Sequence, residues 1–124
     1  MKIQTGIDII EVKRIEEAIK KGGNHFLERI YTEKEIAYCE SKKKTKYQHY
    51  AVRFAAKEAV FKAISNLITD RSDALWKKIE VLEGKNGRPQ INVENLENIE
   101  LEDIDISLSH IEETAVASAV IIVK

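Results

Sequence analysis

The sequence contains few of the residues that cross-link or interrupt a chain. Its 124 residues include one cysteine, one proline and five glycines. A single thiol, that of Cys39, excludes an internal disulfide and is typical of a protein kept in a reducing compartment. No segment reads as a linker, and the length suits one average domain. We therefore expect a single compact domain over residues 1–124.

Long apolar runs and an excess of one charge are also missing. The longest apolar stretch, AVASAVIIV, is too short to span a bilayer as a helix. The net charge is −1, which gives no electrostatic attraction to nucleic acid or to a membrane. The segment MKIQTGIDII lacks the layout of a signal peptide. We expect a cytoplasmic protein with neither nucleic-acid nor membrane partners.

The first half of the chain has mainly helical periodicity. KIQTGIDI alternates as a strand does, and EVKRIEEAIKK has helical spacing that ends at Gly22-Gly23. TEKEIAYCE reads as a short helix in which Thr32 is the N-cap and Glu35 completes a capping box. A long central helix is predicted over about residues 48–67, and SDALWKK as one or two further turns.

The second half has strand patterns. IEVLE and QINV form a predicted hairpin around Asn86-Gly87, and IDISLSH and TAVASAVIIV form another. Helices followed by antiparallel hairpins predict an α+β fold, with the long helix packed on the sheet. In the last strand, apolar residues occupy both odd and even positions from Val116 to Val123, so both of its faces are apolar. Such a strand needs cover on both faces, from helices or from another subunit.

The segment RFAAKEAVFKA, residues 53–63, carries charges on a helix with two apolar surfaces. Glu58 and Lys62 have the i,i+4 spacing of an ordinary ion pair, which is one interpretation. That pair leaves Arg53 and Lys57 without an acidic partner at helical spacing. Charges on a buried helix must be paired, solvated or bound to a ligand. Three cations and one carboxylate suit a metal ion together with a polyphosphate.

A Mg²⁺ site of this kind usually needs a second carboxylate on a rigid element. Asp8 is the candidate, because it lies on the polar face of the first strand, where Gly6 leaves space beside it. A turn or N-cap acid is the alternative interpretation of Asp8. His110 ends a strand and is either a structural residue or a phosphate ligand. No P-loop, nucleophile elbow or zinc spacing is present in the sequence.

Three blocks in order resemble one family. They are GIDIIEVKRI at 6–15, RFAAKEAVFKA at 53–63 and ISLSHIEETAVASAVI at 106–121. Together they resemble the holo-acyl-carrier-protein synthases, which are small 4′-phosphopantetheinyl transferases. The resemblance implies transfer of the 4′-phosphopantetheine group of coenzyme A to a serine of apo acyl carrier protein in fatty acid biosynthesis. It also implies dependence on Mg²⁺ and release of 3′,5′-ADP.

The resemblance also implies a role for each site residue. Asp8 and Glu58 hold Mg²⁺ against the diphosphate, Glu58 also steers or deprotonates the serine, and Lys62 reaches the diphosphate. These three are the implied catalytic residues. Arg53 and His110 bind the 3′-phosphate with Lys57 nearby. The implied hairpin against the adenosine is Gly87, Arg88 and Pro89.

The first helix is the implied binding surface for the carrier protein. Carrier proteins of this kind are acidic, so cationic residues should anchor them. A solvated helix end is the alternative interpretation of its lysines. Family members of this size form homotrimers with active sites between subunits. The implied anchor is Arg14, and the surrounding candidates are Lys13, Lys20, Lys21, Phe26 and Arg29.

One segment departs from the family pattern. A glycine-rich turn usually follows the central helix, whereas this chain reads ISNLITDRSDALW without a glycine. Backbone amides of such a turn can hold phosphate, so Ser65 and Arg71 are candidate substitutes. A polyketide or peptide synthase carrier is one alternative substrate. A non-catalytic trimer that binds coenzyme A is a second alternative.

Overall fold

The computed structural model describes residues 1–69, 74–94, 96 and 99–124. It confirms the predicted α+β fold. The strands are β1 (Lys2–Glu11), β2 (Ile79–Glu83), β3 (Pro89–Val93), β4 (Leu101–His110) and β5 (Thr114–Val123). The α-helices are α1 (Val12–Ile30), α2 (Glu33–Ser41), α3 (Lys46–Ala63) and α4 (Leu75–Lys78).

The strands form two antiparallel sheets. One has the order β1-β5-β4, and the other is the β2-β3 hairpin. In the larger sheet Gly6 pairs with Ala119 and Asp8 with Ala117. The face that carries Ala117 and Ala119 packs against α3, whose facing alanines are also buried. These short side chains allow the helix and the sheet to lie close together.

The contact between β1 and α3 is closest at Gly6. A Cβ atom at this position would lie 1.9 Å from the carbonyl oxygen of Ala59 and 2.8 Å from the nitrogen of Ala63. The predicted space beside Gly6 is therefore filled by helix backbone. Two residues earlier, Gln4 Nε2 donates a 2.6 Å hydrogen bond to the carbonyl of Ala63. This bond satisfies a carbonyl at the end of α3.

Two predicted helix boundaries were wrong. The central helix ends at Ala63 rather than near residue 67, because Ile64 has left helical geometry (φ −108°, ψ 12°) and turns follow. The first helix does not stop at Gly22-Gly23. Gly23 has φ 57° and ψ −143°, which breaks the helix locally, and the helix then resumes to Ile30. Burial of Leu27 and Ile30 stabilises the part of α1 that follows Gly23.

Other local predictions were confirmed. Thr32 caps α2, its backbone nitrogen donates to Glu35 at 2.8 Å, and the nitrogen of Glu35 donates back at 3.3 Å. Both predicted hairpins are present. In SDALWKK only Leu75–Lys78 is helical among the described residues. Within the described ranges, no helix has the length and hydropathy of a membrane span.

The face of the larger sheet opposite α3 is apolar and exposed. Four of its side chains are 45–68% exposed. Within one chain, helices therefore cover only one face of the last strand, β5. The exposed residues, called the outer face below, are Ile3, Ile7, Ile9 and Val120.

We predict that Gly6→Ala destabilises the protein by about 3 kcal/mol or more, because its methyl group would overlap helix backbone that cannot move aside. Urea unfolding measures the change. Lys2→Ala, an exposed substitution on the same strand, is the control and should change the stability little. Equal stabilities for the two variants would show that the contact between β1 and α3 is not tight.

Candidate functional site

Asp8, Glu58 and Lys62 meet where β1 crosses α3. Asp8 follows Gly6 by two residues, so it lies on the face of β1 that contacts the helix. Lys62 Nζ donates to Asp8 Oδ1 at 3.0 Å and to the carbonyl of Ile7 at 3.1 Å. Glu58 precedes Lys62 by one turn of α3. The structure therefore brings together the three residues predicted to be catalytic.

Glu58 is a partly buried carboxyl beside a second carboxylate. Burial raises the pKa of the Glu58 carboxyl, and the nearby Asp8 carboxylate raises it further, whereas Lys62 lowers it. Two carboxylates and one ammonium leave a net charge of −1. A cation held between the two carboxylates would relieve their repulsion.

The donor set fits Mg²⁺. Among the described residues, no group of three or more histidine, cysteine or acidic side chains could hold a metal. Two carboxylates are nevertheless the usual protein contribution to a Mg²⁺ site, where water and phosphate oxygens complete the shell. Asp8 and Glu58 would supply these two carboxylates.

A cavity of about 240 Å³ lies beside the cluster. Glu58, Lys62 and Ser65 line its polar side. The Trp76 ring packs against Phe61, with ring centroids 5.1 Å apart, and both line the apolar side. Sequence reasoning missed both aromatic residues, although the lack of glycine after Ala63 indicated that side chains would form this region. Of the two candidate substitutes, Ser65 lines the cavity and Arg71 lies outside the described residues.

A second cavity, of about 190 Å³, brings together four of the predicted coenzyme A residues, Arg53, Gly87, Pro89 and His110. Arg53 is 4% exposed. Its Nε donates to the carbonyl of Val81 at 3.1 Å, and its guanidinium lies 4.3 Å from the ring centroid of Tyr38. These contacts fix a buried cation at the wall of the cavity.

His49 is a member of this cavity that the sequence analysis missed. Its ring centroid lies 5.5 Å from that of His110 and 5.6 Å from that of Tyr38. Burial and then the positive charge of Arg53 lower the pKa of His49 to about 4. The i,i+4 spacing of His49 and Arg53 would have placed them together on α3.

Lys57 is not part of either cavity, which corrects its predicted place beside coenzyme A. Its side chain is fully buried, and Nζ lies 2.8 Å from Glu35 Oε1. Nζ also donates to the carbonyls of Trp76 and Ile79. Burial lowers the pKa of Lys57, and Glu35 opposes this change. The acid that pairs with Lys57 comes from α2, so no spacing within α3 could reveal it.

Arg88, the middle residue of the predicted adenosine hairpin, forms an exposed ion pair. Its Nη2 lies 2.8 Å from Asp105 Oδ2 in an exposed ion pair, and it does not line the second cavity. Its neighbours Gly87 and Pro89 do line that cavity. The turn before Pro89 has positive φ at Asn86 (60°) and Gly87 (74°). Gly87 and Pro89 are therefore the residues of this turn that the cavity brings near Arg53 and His110.

The residues predicted to bind a partner lie on α1. Arg14 and Lys13 are exposed and are held only loosely by neighbouring acids, at 3.8 Å and 4.0 Å. Lys21 is exposed, and Phe26 is partly buried. The Arg29 guanidinium lies 5.9 Å from the ring centroid of Phe26. The helix thus presents several cations to solvent.

Comparisons with known proteins agree over nearly the whole chain. The family model described as the 4′-phosphopantetheinyl transferase superfamily matches residues 4–120. The holo-[acyl-carrier-protein] synthase of Ruminiclostridium cellulolyticum is 45% identical over 98% of this chain and 92% of its own. That of Chloroherpeton thalassium is 41% identical over 96% of this chain and 97% of its own.

A similar solved structure contains a ligand. It is the holo-(acyl-carrier-protein) synthase of Bacillus anthracis in complex with CoA (3′,5′-ADP). It is 36% identical, has a TM-score of 0.77 and aligns with 95% of this chain and 94% of its own.

We predict that Lys57→Met lowers the stability by about 3–5 kcal/mol, because it leaves the Glu35 carboxylate buried without its cation. Lys20→Met is a matched control, since Lys20 forms an exposed 2.7 Å pair with Glu16. The control should change the stability little. Urea unfolding of both variants measures the difference. Similar small losses in the two variants would contradict the structural role of Lys57.

Proposed function

The chain belongs to the 4′-phosphopantetheinyl transferase superfamily, and from this premise we propose how its site works. The enzyme transfers the phosphopantetheine group of coenzyme A to apo acyl carrier protein. In the proposed reaction the acceptor is a serine hydroxyl, which attacks the phosphorus bonded to pantetheine. The bond from this phosphorus to the bridging oxygen breaks, and 3′,5′-ADP leaves. The proton of the serine passes to a base.

The observation that carries the proposal is the meeting of Asp8, Glu58 and Lys62 beside the cavity lined by Phe61 and Trp76. Asp8 and Glu58 would hold Mg²⁺, which when bound neutralises charge on the diphosphate. Lys62 Nζ binds a diphosphate oxygen. Glu58 also orients the serine and is the candidate base for its proton.

The second cavity suits the other end of coenzyme A. Its buried Arg53 and its His110 offer donors and positive charge for the 3′-phosphate. Gly87 and Pro89 of the hairpin also line this cavity, and we propose that they contact the adenosine. We place the reaction in fatty acid biosynthesis in the cytoplasm.

We propose a homotrimer with active sites between subunits, and two features support this assembly. Arg53 and Glu58 differ by about 140° around α3, so their cavities open in different directions on one chain. Neighbouring subunits can place the two kinds of cavity side by side. The outer face supplies the apolar surface that a subunit interface needs. Sedimentation equilibrium measures the stoichiometry, and a monomer under assay conditions contradicts this assembly.

We predict that Glu58→Gln lowers the transfer rate by about 10²–10⁴-fold, because the amide is neither an anionic metal ligand nor a base. Mass spectrometry of an apo carrier protein incubated with coenzyme A and Mg²⁺ measures the rate. Glu94→Gln, an exposed substitution, is the control and should leave the rate unchanged.

Three outcomes separate the alternatives. A near-normal rate for Glu58→Gln contradicts its assignment as metal ligand and base. Binding of coenzyme A by the wild-type protein without modification of any carrier favours the non-catalytic binding module. A clear preference for a polyketide or peptide synthase carrier over a fatty-acid carrier changes the substrate but not the chemistry.

We predict that Arg14→Ala raises KM for the carrier protein about tenfold and leaves KM for coenzyme A unchanged, because Arg14 is the proposed anchor on α1. Steady-state kinetics at two salt concentrations measure both constants. Added salt should weaken the wild-type interaction more than that of the variant. Lys34→Ala, on exposed α2 surface, is the control. Equal effects of both substitutions would place the carrier elsewhere.

A further inference from the structure

His49 lies with Arg53, His110 and Glu83 in the cavity proposed for the 3′-phosphate. It belongs to α3, one turn before Arg53, and faces His110 at the end of β4. Tyr38 packs edge-on against the same ring, with ring planes at 81°. The imidazole of His49 therefore has two aromatic neighbours at the wall of the cavity.

The surroundings of His49 favour its neutral form while the cavity contains only protein. Burial lowers its pKa to about 4, and Arg53, His110 and Lys42 act in the same direction. Glu83 alone among these neighbours raises it. At neutral pH the cavity thus contains a buried guanidinium beside an uncharged imidazole.

A phosphate monoester would reverse this balance. It carries a charge of about −1.5 to −2 near neutral pH and accepts hydrogen bonds through three oxygens. Placed beside Arg53, it offsets the positive charge that opposes protonation of His49. It also gives the imidazolium an anion with which to pair. The same histidine can then be neutral without the phosphate and cationic with it.

We propose that His49 takes up a proton when the 3′-phosphate of coenzyme A enters this cavity, and that it then binds this phosphate together with Arg53 and His110. The proton comes from solvent and returns to it when 3′,5′-ADP leaves. This inference rests on the proposed function, because it takes coenzyme A as the occupant. His49 thereby favours coenzyme A over dephospho-coenzyme A, which lacks the 3′-phosphate.

The coupling has a definite sign. Uptake of a proton on binding means that affinity for coenzyme A falls as the pH rises. For one proton the slope reaches about tenfold per pH unit, between the pKa of free His49 and that of the complex. The phosphate itself also titrates, in wild type and in a His49 variant, so the coupling is read from the difference in proton uptake between the two proteins.

The test is calorimetry between pH 6 and pH 8 in buffers of different ionisation enthalpy. Coenzyme A and dephospho-coenzyme A are each titrated into wild type, His49→Phe and His25→Phe, the last being an exposed histidine on α1. We expect wild type and His25→Phe to take up as much as about one proton more per coenzyme A than His49→Phe. With dephospho-coenzyme A the three proteins should agree.

A direct measurement covers the case in which His49→Phe does not fold. Nuclear magnetic resonance of the wild-type imidazoles, with and without 3′,5′-ADP, should show His49 becoming protonated only in the complex. Equal proton uptake in all three proteins, or a His49 that stays neutral in the complex, overturns the inference. If coenzyme A still binds more tightly than its dephospho form, the proposed function survives that failure. If neither nucleotide binds, both fail.

Discussion

The approach of β1 to α3 at backbone distance is the constraint on which the candidate site depends. Gly6 has no side chain, and this absence lets the strand rest against the carbonyl of Ala59. The bond from Gln4 to Ala63 fixes the register of the contact on one side of Gly6. Asp8 is then carried to Lys62 on the other side. A bulkier strand would hold Asp8 farther from the helix, where it could not share a cation with Glu58. The proposed metal site thus depends on how closely these two elements pack.

The charged side chains of α3 from Arg53 onward point toward several different elements of the fold. Lys57 points toward Glu35 of α2 and toward carbonyls near β2, so it joins three elements inside the protein. Glu58 and Lys62 point toward β1. Arg53 points toward the β2-β3 hairpin and β4, where it lines the second cavity. From Arg53 onward, α3 can carry these four charges because each has a partner or opens into a cavity.

The sequence predicted those features that depend on local pattern. Alternation gave the hairpins, the Thr32–Glu35 spacing gave the capping box, and a polar residue two positions after a strand glycine pointed to Asp8. The contacts that were not predicted join residues from different elements of the fold. Glu35 binds Lys57 across the fold, Asp105 binds Arg88, and Trp76 reaches back to Phe61. The helix end at Ala63 was missed because the apolar periodicity continues through Leu67 after the backbone has turned. The spacing of residues within one helix or strand cannot predict such contacts.

The two cavities differ in charge, and in the proposed reaction this difference gives their occupants an order. The cluster of Asp8, Glu58 and Lys62 has a net charge of −1, so it repels a diphosphate until a divalent cation is present. The cavity around Arg53 balances that guanidinium against the Glu83 carboxylate, so it does not repel a phosphate and needs no metal ion to admit one. The 3′-phosphate is therefore the end of coenzyme A that can bind first and without metal, whereas the diphosphate needs the cation in order to settle between Lys62 and the carboxylates. Binding energy gained at the unreactive end then holds the reactive phosphorus in place, which is how remote contacts contribute to a transfer step.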